Sequence, residues 1–281
     1  MQLQCDRFQL ELSKPKIMGI LNVTPDSFSD GGRFLCADSA VSHALQMVED
    51  GADIIDVGGE STRPGAENIS LEAELQRVVP IVETLAKQLN VPISVDTTKP
   101  EVMRASIERG AAMINDVTGL QAVGALEVVQ TSNVAVCIMH MQAQPRTMQT
   151  NPQYGDVVGT VSSFMQAQVA KCEAAGISRK RLLVDPGFGF GKTLAHNLAL
   201  FKHLSQLAPV GIPVMVGVSR KRMLGEITGQ AVHDRGTASV VAAVLAIMNG
   251  ASVVRVHDVK ETRQGLQVAE ALNNNHNGVN R

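Results

Sequence analysis

The chain has 281 residues, 44% of them hydrophobic, which is enough for one large domain or two small ones. Its formal net charge of −2 provides no basic field and argues against nucleic acid as the main partner. No apolar stretch is long enough to span a bilayer and no secretory signal is visible, so we expect a cytoplasmic protein that works away from membranes. The four cysteines lack C-x-x-C spacing, which agrees with a reduced compartment.

The chain begins with a loosely alternating segment and continues with eight short apolar runs. The alternation from Leu3 to Leu12 predicts an N-terminal hairpin, within residues 1–15, that covers the bottom of the following fold. The runs are continuously hydrophobic, which is typical of strands buried on both faces. They lie at 17–22, 54–57, 93–96, 113–116, 136–140, 182–185, 214–217 and 253–257.

Helical patterns alternate with these runs, and proline or glycine marks several of their boundaries. They predict helices near 38–49, 70–90, 100–110, 124–131, 157–175, 197–206, 235–249 and 261–272. Strand–helix alternation repeated eight times on one undivided chain predicts a single-domain α/β protein over residues 1–281, a (β/α)8 TIM barrel, with a disordered tail at 273–281. A doubly wound open sheet is the alternative fold, although the glycine fingerprint that often follows its first strand is absent.

The predicted helix around residues 237–248 is apolar on nearly every side. An outer helix of a barrel normally keeps one polar face in water, whereas a helix that is apolar all round is buried all round. The pattern therefore predicts a homodimer with this helix in its interface.

Nearly every apolar run ends on a polar side chain, and in a parallel barrel these carboxyl ends form the active-site face. Asp96, Asn115 and Asp185 end three of the runs and are expected to converge. A carboxylate accepts paired N–H bonds and asparagine both donates and accepts, so the group suits a flat, nitrogen-rich heterocycle. Asp96 also precedes a predicted helix, and a helix N-cap is the alternative role for it taken alone.

A second group of residues suits an anion. Segment 58–65 combines paired glycines with Arg63 and is either an anion-binding loop or a solvated turn. Arg255 and His257 alternate along one run, so both point to the same side of the strand. If the barrel closes, Asn22 lies beside them, and the three predict an anion site with Mg²⁺, an ion that takes few protein ligands.

Two further segments, 185–193 and 219–222, contain motif-like patterns. Segment 185–193 is similar to a nucleotide-binding P-loop but has Pro186 where that motif requires glycine, so we reject that assignment. Its glycine-spaced Phe188 and Phe190 suggest a mobile apolar wall for a ring. The basic run at 219–222 is either a solvated rim or a phosphate seat.

Sequence motifs that follow one another over almost the whole chain resemble those of the dihydropteroate synthase family. They lie at 19–32, 56–65, 94–97, 114–116, 139–141, 185–190, 219–221 and 255–258, and the first two are long enough to be highly specific. The resemblance implies a transferase that joins (7,8-dihydropterin-6-yl)methyl diphosphate to p-aminobenzoate. Dihydropteroate and diphosphate are released on the route to folate. It also implies Mg²⁺ as cofactor and sulfonamides as inhibitors.

The resemblance assigns roles to individual residues. It implies a pterin site made of Asp96, Asn115, Met139, Asp185, Gly217 and Lys221, of which Asp96, Asp185 and Lys221 are also catalytic. It implies a diphosphate site made of Asn22, Arg63, Arg255 and His257, with Asn22 as the ligand of Mg²⁺. It implies a p-aminobenzoate pocket made of Phe28, Thr62, Pro64, Phe190 and Ser219.

Three positions depart from the family pattern, and one of them is Thr118, which follows Val117 in the loop after the fourth run. Ala143 stands where many relatives have glycine, which leaves the shape of its loop open. Arg222 replaces a small hydroxyl residue and either adds charge near the diphosphate or faces solvent. Two other functions remain as alternatives: a pterin-binding methyltransferase domain with a corrinoid partner, and a non-catalytic module that binds pterin or bypasses sulfonamides. Formation of dihydropteroate would distinguish the synthase from both.

Overall fold

The structure, a computed structural model of the chain, describes residues 1–24, 33–60, 69–143 and 148–274. Phe28, Thr62, Arg63 and Pro64 therefore lie outside the described residues, as does most of the predicted tail. The chain begins with the predicted hairpin, in which β1 (Gln2–Cys5) pairs antiparallel with β2 (Phe8–Glu11). Leu3 and Cys5 are fully buried against residues such as Met18, at the amino ends of the following strands, so the hairpin does cover the bottom of the fold.

Eight parallel strands follow, and they coincide with the eight predicted runs. They are β3 (Lys16–Asn22), β4 (Ile54–Gly58), β5 (Ile93–Asp96), β6 (Met113–Asp116), β7 (Ala135–Met139), β8 (Leu182–Asp185), β9 (Met215–Val216) and β10 (Val253–Val256). Their order in the sheet is β8-β7-β6-β5-β4-β3-β10-β9. A parallel bridge from Val184 to Val214, just before β9, joins the two edges. The predicted (β/α)8 barrel is confirmed, and the doubly wound alternative is wrong.

The two faces of each strand separate the packing core from the site. Outward side chains such as Ile17, Val57 and Val184 belong to the large hydrophobic core that also contains the helices. Inward side chains such as Ile54 and Met113 form a second core above the hairpin. Because side chains alternate with a period of two, the inward positions nearer the carboxyl ends are the polar ones.

Nine helices lie among the described residues: α1 (Arg33–Glu49), α2 (Leu71–Gln88), α3 (Pro100–Glu108), α4 (Ala125–Gln130), α5 (Val157–Ala174), α6 (Leu194–Lys202), α7 (Arg222–Thr228), α8 (Gly236–Met248) and α9 (Val259–Asn274). None is long and apolar enough to cross a membrane. Eight correspond to predicted helices. α6 begins three residues before its predicted start at 197, because the Thr193 side chain caps it by accepting from His196 N at 3.2 Å.

α7 is not among the predicted helices, since its first residue, Arg222, is the last residue of the basic run. The last residue of α7 is Thr228, and Gly229 follows as the C-cap in the left-handed conformation that commonly ends a helix. α1 begins at Arg33 rather than at 38. Both differences lie in the connections between strands, and neither moves a strand end.

Candidate active site

Four polar side chains meet inside the carboxyl-terminal half of the barrel. Arg255 on β10 donates from Nε to Asp56 Oδ2 at 2.6 Å and from Nη2 to Asp96 Oδ2 at 2.9 Å. Asn115 on β6 donates from Nδ2 to the same Asp56 oxygen at 3.1 Å. Asp96 is not a helix cap, because the residue that precedes α3 is Lys99, which makes no capping bond.

Burial dominates the electrostatics of this cluster. It raises the pKa of Asp96 to about 7, a rise that Arg255 opposes and Asp56 reinforces. Burial would lower the pKa of Arg255, but Asp56 and Asp96 hold it above its ordinary value, so the guanidinium stays charged. The barrel thus holds a permanent cation between two carboxyl groups, and the Asp96 carboxyl can change its charge near neutral pH.

Three buried polar atoms around this cluster have no hydrogen-bond partner within the described part of the chain: Asp56 Oδ1, Ser94 Oγ and Asn115 Oδ1. Buried polar groups of folded proteins are nearly always paired. Unpaired oxygens on Asp56 and Asn115 suit a ligand that brings N–H donors into the barrel.

A second charged pair lies at the ends of β8 and β9. Asp185 Oδ1 accepts the main-chain N–H of Gly187 at 2.7 Å, and burial raises the pKa of this carboxyl. Lys221 donates from Nζ to the Phe188 carbonyl at 2.6 Å. Burial lowers the pKa of Lys221 to about 8, and the nearby Asp185 opposes that fall. The Lys221 ammonium therefore loses its proton more easily than that of an ordinary lysine. In the structure it contacts the Phe188 carbonyl and the Phe190 ring.

Glycines leave open space between the charged groups. A Cβ on Gly217 would lie 3.8 Å from both Asp185 Oδ2 and Arg255 Cβ. A Cβ on Gly58 would lie 3.7 Å from Asp96 Cβ and 3.8 Å from Asn22 Oδ1. Asn22, Asp96, Arg255 and Asp185 therefore lie around these two glycines at one end of the barrel. Because glycine has no side chain, the space between the four polar groups stays open.

The basic run at 219–222 sends its side chains in different directions. Ser219 Oγ lies 2.9 Å from His257 Nδ1 and accepts the His257 main-chain N–H at 3.2 Å, so the two residues tie adjacent strand ends together. Arg220 has a left-handed φ of 58° and pairs with Asp258, away from Lys221. The Arg222 side chain is 81% exposed. The solvated-rim interpretation therefore holds for Arg222, Arg220 is held by Asp258, and of the three cations in the run Lys221 alone enters the site.

An apolar wall stands beside Lys221. It contains Phe190, Met139, Val117 and Met148 in one buried cluster, and Lys221 Nζ lies 3.9 Å from the centroid of the Phe190 ring. Phe188, which we expected in the same wall, is fully buried and packs on Phe201 instead, with ring centroids 5.8 Å apart. Left-handed glycines on both sides of Phe188, with φ of 69° and 79°, turn the chain so that the two phenylalanines diverge.

Sequence reasoning missed two buried charged groups near the site. Lys192 is 3% exposed and binds His140 and several carbonyls behind the wall. Lys99 Nζ lies 2.5 Å from a carboxylate oxygen of Glu60 and of Glu74, and Glu60 Oε1 also accepts from Ile69 N at 3.3 Å. The second group holds together the two ends of segment 60–69. In the sequence, the sign of this charged group is Glu74, an acidic residue among the buried apolar positions of α2.

The structure shows the backbone conformation at Ala143, one of the positions that depart from the family pattern. This residue has a φ of 62°, in the left-handed region that favours glycine. The loop after β7 thus keeps a conformation suited to glycine with alanine in its place.

The structure brings eleven predicted site residues to the carboxyl-terminal end of the barrel: Asn22, Asp96, Asn115, Met139, Asp185, Phe190, Gly217, Ser219, Lys221, Arg255 and His257. The other four lie outside the described residues. The arrangement combines hydrogen-bonding groups for a heterocycle edge with the cationic side chains of Arg255 and Lys221, each of which has a carboxyl group nearby. Cations at this end of the barrel suit the departure of an anionic leaving group from a ring-bearing substrate.

Comparisons with known proteins show the family and the fold. The family described as pterin binding enzyme matches residues 18–257. The dihydropteroate synthase of Escherichia coli K12 is 51% identical over 271 residues, which cover 96% of each chain. A Yersinia pestis dihydropteroate synthase solved with a sulfonamide drug superposes with a TM-score of 0.92 at 49% identity, covering 98% of this chain and 100% of that one. A Burkholderia cenocepacia dihydropteroate synthase complexed with 7,8-dihydropteroate gives 0.91 at 44% identity, covering 98% of both chains.

Proposed function

The chain belongs to the dihydropteroate synthase family of pterin-binding enzymes, and from this premise we propose how its site makes 7,8-dihydropteroate. The enzyme is a transferase that moves a pterin-methyl group from diphosphate to the amino nitrogen of p-aminobenzoate, in folate biosynthesis. The observation that carries the proposal is the convergence of Asp96, Asn115 and Asp185 around the Arg255 cation at one end of the barrel.

The pterin edge binds to the carboxyl and amide groups. Asp96 and Asp185 accept N–H bonds from the amino-pyrimidine, and the unpaired Asn115 Oδ1 supplies a further acceptor. Met139 and Gly217 flank the flat ring, and Lys221 donates to it. Each charge-assisted bond of this kind contributes about 1.5–3 kcal/mol.

The diphosphate lies at the ends of β3 and β10. His257 and the charge of Arg255 stabilise it there, and Arg63 does so from the segment outside the described residues. Asn22 offers a hard amide oxygen, and no cluster of three acidic, His or Cys side chains suited to a metal exists among the described residues. This donor set fits Mg²⁺, which commonly binds one or two protein ligands and takes the rest from water and phosphate. When bound, the ion neutralises charge on the leaving diphosphate.

The p-aminobenzoate pocket lies beside the pterin, against Phe190 and Ser219, with Phe28, Thr62 and Pro64 contributed by the undescribed segments. Related enzymes have been solved with 4-aminobenzoic acid and with a sulfonamide drug. We therefore place sulfonamides in the same pocket here, as competitors of p-aminobenzoate.

The reaction needs positive charge more than a base. The bond between the methylene carbon and the diphosphate oxygen breaks, and its electron pair leaves with the diphosphate toward Arg255 and His257. The electron-rich pterin stabilises the resulting methylene cation, and Asp96 and Asp185 add negative charge. The neutral aniline nitrogen then forms the new C–N bond and loses a proton to solvent. No protein nucleophile takes part.

Product formation tests this function. We expect labelled dihydropteroate when the enzyme is incubated with the pterin diphosphate, labelled p-aminobenzoate and Mg²⁺, and little when Mg²⁺ is replaced by a chelator. Bound pterin without product would support the non-catalytic module instead. Methyl transfer to a corrinoid protein, in place of dihydropteroate, would support the methyltransferase.

The surface that we propose for the homodimer contact lies on α8 and α9. α8 buries Ala242, Ala243 and Ala246 against the barrel, while Val241, Leu245 and Met248 are 52%, 45% and 58% exposed along its other face. Val268 and Leu272 on the neighbouring α9 are 61% and 65% exposed. A contiguous apolar face of this kind marks a protein–protein contact. We propose that a second copy of the chain covers this face.

Replacing Leu245 by glutamate tests the dimer. A carboxylate buried in an apolar interface without a partner is costly, so we expect the variant to dissociate at least about 100-fold more readily than the wild type. Sedimentation equilibrium measures this. Val123→Glu is the control, because Val123 is 99% exposed and lies away from α8. A wild-type protein that stays monomeric at high micromolar concentration would refute the proposal.

We also propose that the chain forms a single domain located in the cytoplasm. The hairpin packs its Leu3 and Cys5 into the same core as barrel strands, so it is not a separate unit. Cys5, Cys137 and Cys172 are free and buried, which agrees with a reducing compartment.

A further inference from the structure

A buried lysine lies behind the site, apart from the groups proposed to touch the substrates. Nζ of Lys192 lies 3.0 Å from Nδ1 of His140 and 3.0 Å from the carbonyl oxygens of Gly187 and Phe190, with the His140 carbonyl oxygen at 3.3 Å. Lysine is almost never fully buried unless it is paired. The partners here are main-chain carbonyls and an imidazole, so the ammonium binds backbone.

These carbonyls belong to two loops that meet behind the site. His140 follows β7, and its N–H donates to the Asp185 carbonyl at 3.0 Å. Gly187 follows β8 with a left-handed φ of 69°, and a Cβ there would collide with the His140 carbonyl oxygen. The two backbones are thus in direct contact, and Lys192 Nζ joins them.

Protonation favours this arrangement. Burial, reinforced by Lys192, lowers the pKa of His140 to about 3, so its imidazole is neutral and its Nδ1 can accept a hydrogen bond. Burial lowers the pKa of Lys192 to about 7, and Asp185 opposes that fall. An ammonium carries three N–H donors, and four acceptors surround it here, of which the His140 carbonyl is the most distant at 3.3 Å.

The loop held in this way carries two groups of the site. Its Phe188 carbonyl accepts from Lys221 Nζ at 2.6 Å, and the same Nζ lies 3.9 Å from the Phe190 ring centroid. The peptide carbonyl of Phe190 is bound directly by Lys192. The position of the Phe190 ring therefore depends on the lysine behind it.

We propose that Lys192 is a positioning residue that fixes the 187–190 loop against the end of β7, so that Phe190 forms one wall of the p-aminobenzoate pocket. The inference rests on the proposed function. Asp96 and Asn115, which hold the far edge of the pterin, lie on β5 and β6, away from this lysine. Of the other pterin groups, Lys221 donates to the Phe188 carbonyl of the loop and Asp185 interacts electrostatically with Lys192, whereas Phe190 is bound to Lys192 directly through its carbonyl. Loss of Lys192 should therefore affect p-aminobenzoate more than pterin.

Lys192→Met keeps the length of the side chain and removes its donors. We expect the KM for p-aminobenzoate to rise at least tenfold, while the Kd for 6-hydroxymethylpterin, measured by calorimetry, changes less than threefold. Lys202→Met, at the exposed end of α6, is the matched control and should change neither value.

The outcomes separate the inference from the function beneath it. A wild type that makes no dihydropteroate refutes the proposed function. An active wild type with an unchanged KM for p-aminobenzoate in Lys192→Met overturns the role of Lys192, as does an equal loss of affinity for both ligands. If Lys192→Met does not fold, His140→Gln removes one of the contacts and should raise the same KM about threefold without changing pterin affinity, and an unchanged KM there overturns the proposal.

Discussion

Replacing Arg255 with methionine is expected to destabilise the protein by about 3–5 kcal/mol, because one cation is removed from between two buried carboxyl groups. Arg255 donates to Asp56 at 2.6 Å and to Asp96 at 2.9 Å, and the Asp56 side chain is fully buried. Methionine fills similar space without any donor. Urea unfolding measures the difference in free energy.

The same substitution should reduce catalysis. We proposed that Arg255 stabilises the leaving diphosphate. Loss of two charge-assisted hydrogen bonds to that group, of about 1.5–3 kcal/mol each, corresponds to a loss of at least about 100-fold in kcat/KM for the pterin diphosphate. From the sequence, Arg255 was expected to act mainly on the diphosphate. Because the structure places its guanidinium against Asp96 as well, we expect the affinity for 6-hydroxymethylpterin, which has no diphosphate, to fall too.

Arg222→Met is the matched control. Arg222 pairs with Glu226 on the surface, with side chains 81% and 35% exposed, and such pairs contribute at most about 1 kcal/mol. Wild-type stability in Arg255→Met would show that Asp56 and Asp96 do not depend on the guanidinium. An unchanged affinity for 6-hydroxymethylpterin would confine Arg255 to the diphosphate.

Asp96→Asn is expected to weaken pterin binding by tenfold or more and to lower turnover with it. The Asp96 carboxylate accepts from Arg255, and an asparagine that keeps this bond through its oxygen turns an N–H₂ donor toward the ligand. A donor facing the N–H groups of an amino-pyrimidine repels it. Calorimetry with 6-hydroxymethylpterin and steady-state kinetics measure the two effects.

Asp96 should also make stability depend on pH. Burial raises its pKa from 3.8 to about 7, so between these values the folded state binds more protons than the unfolded state. Stability contributed by this group therefore falls as pH rises through that window. We expect the free energy of unfolding of the wild type, relative to Asp96→Asn, to decrease from about pH 4 to about pH 7.

The exposed Asp38 on α1 provides the control, since Asp38→Asn should leave kcat/KM unchanged. Unchanged pterin affinity in Asp96→Asn would remove Asp96 from the binding edge. A stability difference that does not vary with pH would mean that Asp96 is ionised throughout in the folded protein.

Segments whose pattern is local were predicted well. All eight barrel strands, the hairpin and eight of nine described helices follow from periodicity and from residues that begin or end an element. The polar strand ends Asp96, Asn115 and Asp185 were predicted to converge because parallel strands place their carboxyl ends together. α7 was missed because a short helix that opens on a basic run has almost no periodic signal.

Contacts between distant segments could not be predicted in the same way. The Phe188 and Phe190 side chains follow one glycine-spaced pattern, yet one enters the core and the other the site. Their directions depend on left-handed glycines packed against another loop. Lys192 belongs to the segment whose similarity to a P-loop we rejected, and nothing local predicts its burial, which depends on the approach of the loops after β7 and β8.

The amino-acid sequence by itself determined the order of strands and helices, the barrel, and the polar character of its carboxyl-terminal end. It did so because hydrophobic periodicity and turn residues act within a few positions of one another. The tertiary structure alone decided which charges meet, as Arg255 and Asp56 do across 199 positions of the chain. Such partners are brought together only when the barrel closes, and burial then sets their protonation.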